Sequence, residues 1–116
     1  MPTLEEGLSG LLAAPGVTGA ALVDAVTGLV YAAAGDTRTG EDAHDLAVLA
    51  GDRLNRAGFE GEVESVIVST QREHQVVLRL GRQGDPLLLT ATVDRSRTSV
   101  AWALQDLTQR ADALLT

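Results

Sequence analysis

Residues Val17-Thr18-Gly19-Ala20-Ala21-Leu22-Val23-Asp24 are apolar on both alternating faces, with Val17, Ala21 and Val23 against Ala20 and Leu22. A strand of this kind has to be covered on both sides. A second run, residues 86–93 (Pro86-Leu87-Leu88-Leu89-Thr90-Ala91-Thr92-Val93), makes the same demand. Two such strands exclude a sheet with one wet face and call for helices on both sides.

Three helices are available. The first starts at a capping-box spacing, Thr3 with Glu6, and carries Leu4, Leu8, Leu11 and Leu12 on one stripe until Ala13-Ala14, where Pro15-Gly16 stops it. The second spans residues 41–57. A weaker capping pair, Thr39 with Asp42, stands at its head, its stripe is Ala43, Leu46, Ala47, Ala50, Leu54 and Ala57, and Gly58 follows as the C-terminal cap. Val48 and Leu49 fall outside that stripe. The third spans residues 97–114, with Ser96 or Asp94 as N-cap and Val100, Ala103, Leu104, Leu107, Ala111 and Leu114 facing inward.

Between them lie five strands. Residues 24–28 turn the first strand into a second at 29–34, and residues 63–70, 75–80 and 86–93 are joined by turns at 71–73 and 81–85. The order is helix, two strands, helix, three strands, helix. It predicts an α/β (α+β) domain, a five-stranded antiparallel sheet with one helix on one face and two on the other, filling residues 1–116 as a single domain.

Composition narrows the function classes. All nine basic residues are Arg, so a P-loop lysine, a Schiff base and pyridoxal-phosphate attachment are excluded. The absence of Cys removes disulfides, thiolate metal sites and cysteine nucleophiles. A net charge of −7 disfavours nucleic acid and anionic lipid. The acidic N-terminus is unlike a signal peptide, and no apolar run approaches the roughly 18 residues of a membrane span. The chain therefore reads as soluble and cytoplasmic, and its Arg, Ala, Gly and Val bias points to a GC-rich genome such as an actinobacterial one.

No catalytic, cofactor or metal site emerges. His44 and His74 are the only histidines and read as surface residues. Ser69 and His74 could serve as nucleophile and base, but no Gly-x-Ser-x-Gly elbow surrounds the serine, and both read as solvated turn residues. The expectation is a binding protein, not an enzyme.

Interaction signals are better defined. Strand three, residues 63–70, is the most β-prone run of the chain and has no internal Lys, Pro or Gly. At an edge it would invite another strand; in the centre it would not. Ala47, Val48 and Gly51 cluster on one flank of helix two, small enough for another helix or for close packing on the sheet. Trp102 projects nearly opposite the stripe of the last helix, either as a partner surface or packed beneath helix one.

Residues 16–24 (Gly-Val-Thr-Gly-Ala-Ala-Leu-Val-Asp) with Gly28-Leu29-Val30 resemble the opening hairpin of the Roadblock/dynein light chain family, including its bacterial MglB-like branch. Val66-Ile67-Val68, Val76-Val77-Leu78-Arg79-Leu80 and the Arg95-Ser96-Arg97 entry to the last helix resemble its closing half, so the likeness spans about residues 4–114. Longin-like and profilin-like domains share much of the layout. The resemblance implies a homodimer whose third strands pair across a two-fold axis beside antiparallel second helices. Here that interface would comprise Ala47, Val48, Gly51, Val63, Ser65, Ile67 and Ser69. It further implies a regulator or scaffold for a small Ras-like GTPase or signalling complex, with no catalytic side chain to carry over. The alternative is a sensory domain holding a small ligand between sheet and helices.

Overall fold

The computed structural model describes residues 4–36, 40, 42–80 and 86–114. Its elements run α1 (Leu4–Leu11), β1 (Val17–Asp24), β2 (Val30–Gly35), α2 (Ala43–Arg56), β3 (Ser65–Ser69), β4 (Glu73–Leu80), β5 (Leu87–Asp94) and α3 (Val100–Leu114). The strands form one antiparallel sheet in the order β2-β1-β5-β4-β3. The two strands apolar on both faces, β1 and β5, sit side by side in the middle, and β3 lies at an edge.

Strand alternation sends residues to two separate cores. Ala20, Leu22, Val76, Leu78, Leu87, Leu89, Ala91 and Val93 point to one face, where Leu8 and Leu11 of α1 and Ala103, Leu107 and Ala111 of α3 close over them. Ala21, Val23, Val77 and Leu88 point to the other, where Ala43 of α2 meets them. The layering is the expected one helix against two.

Several boundaries move for identifiable reasons. Helix α1 gives way after Leu11 to tighter turns, with Leu12, Ala13 and Ala14 N–H bonding to the carbonyls three residues back. Strand β3 is shorter than residues 63–70, because Val63 and Glu64 belong to the approach and Thr70 to the turn. Helix α3 begins at Val100, and its cap is Ser99, not Ser96 or Asp94: Ser99 Oγ accepts the Trp102 N–H at 3.3 Å. Asp94 instead holds the preceding turn by accepting the Ser96 hydroxyl (2.7 Å) and the Ser96 N–H (2.9 Å) on Oδ1. These bonds lower its pKa.

Gly58 ends α2 as expected, with φ 91°. Its N–H bonds to the Asn55 carbonyl and the Phe59 N–H to that of Leu54, the two bonds of a Schellman motif. At the other end Asp42 makes no side-chain capping bond. The proposed caps Thr3 and Thr39, Glu41, the 81–85 turn and the side chains of Leu4 and Leu114 lie outside the described residues.

Candidate functional site: the β3 edge and helix α2

The exposed edge is built by alternation along β3. Arg79 N–H donates to the Glu64 carbonyl (2.8 Å) and Thr70 N–H to that of Glu73 (2.9 Å), so the even-numbered residues turn their backbone groups toward β4. The odd-numbered Ser65, Ile67 and Ser69 therefore direct theirs away from the sheet. Their side chains share the α1/α3 face with His74, Val76 and Leu78, while Val66 and Val68 share the α2 face with Val77 and Gln75. Ile67 is 37% exposed and Val68 also protrudes. The strand carries no charge, Pro or bulge of the kind that protects edges.

Helix α2 lies beside this edge but is poorly covered. Among its residues only Ala43 is fully buried. Ala47 packs partly against the α2-side core, and a Cβ on Gly51 would meet Val63 at 3.8 Å. Ala47 thus serves packing within the chain, and Gly51 faces Val63 with room for a Cβ. Val48 is 54% exposed, with Leu49, Leu54 and Phe59 also open to solvent. The expected residues share one end of the molecule yet divide between sheet faces: Ser65, Ile67 and Ser69 on one, and Ala47, Val48, Gly51 and Val63 around α2 on the other.

His74 is not a surface residue. It is 6% exposed, inside the β4 ladder, with Nδ1 2.6 Å from Ser69 Oγ. Ser69 is the last residue of β3 and pairs with His74 across the ladder, so the contact ties the edge strand to its neighbour. Among the described residues no carboxylate bonds to the His74 ring. His44 is half-buried against the β1–β2 turn, 3.7 Å from Asp45. Among the described residues no group of three or more His, Cys, Asp or Glu could hold a metal ion.

Trp102 is 65% exposed on α3 and is not packed beneath α1. At the far end of the sheet, the β1–β2 hairpin exposes Val26, Leu29, Val30 and Tyr31. Its turn is held by Asp24, whose Oδ1 accepts the Val26 N–H (2.7 Å) and the Thr27 N–H (2.9 Å), while Oδ2 accepts the Tyr31 hydroxyl (2.8 Å). The Thr27 N–H, the Tyr31 hydroxyl and the Val26 N–H together bring the Asp24 pKa down to about 2. No described helix is long and apolar enough to cross a membrane.

No protein-family model matches the sequence, and no curated protein matches it as a relative. Solved structures do match. A Roadblock/LC7 domain from Streptomyces avermitilis superposes with a TM-score of 0.73 over 99% of this chain and 100% of that one, at 22% identity. MglB of Myxococcus xanthus gives a TM-score of 0.78 over 96% and 90%, at 16% identity. An MglB solved in a tetrameric arrangement gives 0.75 over 96% and 84%, at 19% identity. With element order, strand order and nearly full coverage in agreement, the chain has the Roadblock/LC7 fold, in the form also taken by MglB proteins.

Proposed function

We propose that the chain is a homodimeric regulator or scaffold of the Roadblock family, MglB-like branch, which binds a small Ras-like GTPase. The observation that carries the reading is the uncovered β3 edge, with the backbone of Ser65, Ile67 and Ser69 turned outward beside the exposed Val48 and Leu49 of α2. Both surfaces are ones a second copy can cover at once. Antiparallel pairing about Ile67 would bring the Glu62–Glu64 end of one strand beside the Arg72 end of the other, a favourable cross-strand match. Self-association of an MglB with this fold supports the reading. The GTPase half rests on the resemblance of residues 16–30 and 66–97 to that family, and Trp102 is a candidate surface for that second partner.

Light scattering tests the first half. The wild-type chain is expected at twice its monomer mass, and Ile67→Arg or Val48→Arg at the monomer mass with unchanged far-UV circular dichroism. Gly51 is a less direct target, because a side chain there would also meet the chain's own Val63. An Ile67→Arg protein that remains dimeric overturns the proposed interface. Co-elution with a Ras-like GTPase from the same organism, loaded with GTP or GDP, tests the second half, and free elution of both forms overturns it.

A further inference from the structure

The α2 side of the sheet contains a cavity of about 280 Å³ under the first turn of the helix, lined by Gly40, Asp42, Ala43, Leu46, Gln75, Val77 and Thr90. Ala43, Leu46 and Val77 give it apolar walls, and Gln75 and Thr90 a polar floor. Thr90 is 2% exposed, in a strand whose other residues from Leu87 to Val93 are all apolar except Thr92. Thr92 is engaged, with its Oγ1 2.9 Å from Gln75 Nε2. The Thr90 hydroxyl is not: it makes no hydrogen bond to any described residue, yet no described buried polar atom is sealed off without a partner. Its oxygen therefore opens on the cavity. On its other side, a Cβ on Gly40 would lie 3.7 Å from the Thr90 methyl, so the Gly40 backbone packs against that flank.

A hydroxyl that faces a cavity from an otherwise apolar stretch of strand offers an occupant both a donor and an acceptor, which Val in the same space would not. We infer that this cavity is a binding site for a small uncharged amphiphile whose amide or hydroxyl head bonds to Thr90 and Gln75 and whose short apolar body lies against Ala43, Leu46 and Val77. Gln75 keeps one amide N–H for such a head, since Thr92 takes the other. The cavity equals about nine water volumes at roughly 30 Å³ each, a size that suits a small ligand. It sits at the small end of ligand pockets. Asp42 beside the cavity and the net charge of −7 disfavour anions.

Pentanamide is the probe, with pentanoate as its charged counterpart of the same skeleton. In a titration followed by amide NMR shifts, pentanamide is expected to give saturable shifts at residues 43–46, 75–77 and 88–91, with pentanoate at least tenfold weaker. Thr90→Val should weaken pentanamide at least fivefold while melting at the same or a higher temperature. Equal affinity for Thr90→Val, a lowered melting temperature showing that the hydroxyl already had a partner, or the absence of saturable shifts would each overturn the site. Ala43→Leu, which fills the cavity from the opposite wall, should also abolish the shifts, and their persistence would overturn the assignment. The titration reads the same on a monomer or a dimer, so its failure leaves the proposed interface untouched.

Discussion

The two faces of the sheet are made from the same central strands but finished differently. On the α1/α3 face, leucines from both helices close over Leu22, Leu89 and Val93, and Leu8, Leu22 and Leu107 are fully buried. On the α2 face a single alanine, Ala43, is the only fully buried helical residue, and the apolar remainder of the helix is open or half-open. Burial stabilises by roughly 25 cal/mol per Å² of apolar surface, so the first face, with more and larger buried side chains, contributes more of that stabilisation. The second leaves Val48, Leu49 and Leu54 exposed, and the proposed ligand site and the α2 part of the proposed interface both lie there.

The largest test of that contrast is a pair of truncations on an Ile67→Arg background, chosen so that association through the proposed interface does not mask the difference. Leu107→Ala should cost about 2–5 kcal/mol in urea unfolding, the range for a fully buried leucine. Leu54→Ala in α2 should cost less than about 1 kcal/mol, because that side chain is already substantially exposed. Equal costs would break the comparison. A smaller contrast lies at the helix starts. Ser99→Ala should cost about 1 kcal/mol through loss of the bond to the Trp102 N–H. Asp42→Ala should cost only a few tenths, because Asp42 makes no side-chain cap.

The smallest effect is at the hairpin below both faces. Asp24 is held near pKa 2 against an ordinary 3.8, so it binds its proton more weakly folded than unfolded. Its contribution is complete above about pH 4 and disappears as the pH falls toward 2. Asp24→Asn should flatten the stability–pH curve over that window. An unchanged slope would mean that the turn bonds persist in the unfolded chain.

Much of this architecture was readable because burial leaves a period in the sequence. The bounds of β1 coincide with the run apolar on both faces, and Gly58 marked the end of α2 because only a left-handed residue fits there. What failed to show was pairwise. His74 read as a surface residue because a lone histidine carries no sign of which strand will lie across from it. Ser99 does not stand out as a cap in the sequence, because Asp94 and Ser96 are equally good by residue type and only the turn geometry assigns them elsewhere. Thr90 did leave a trace. Two threonines spaced by two within a strand of leucines mark a polar stripe on one face of an otherwise dry strand, and Gln75 completes it from β4.

The alternation along β3 also limits how this chain can change its length. If two copies pair about a perpendicular two-fold axis, opposed residues must share a face, so slippage between copies proceeds only in steps that preserve parity. Deleting one residue ahead of Ile67 would turn that side chain to the α2 face and exchange which amides look outward. Deleting two would restore both. Related chains that keep this mode of association should therefore differ in the stretch between α2 and Ile67 by compensated or even-numbered changes near the strand, while the loop farther back absorbs length freely.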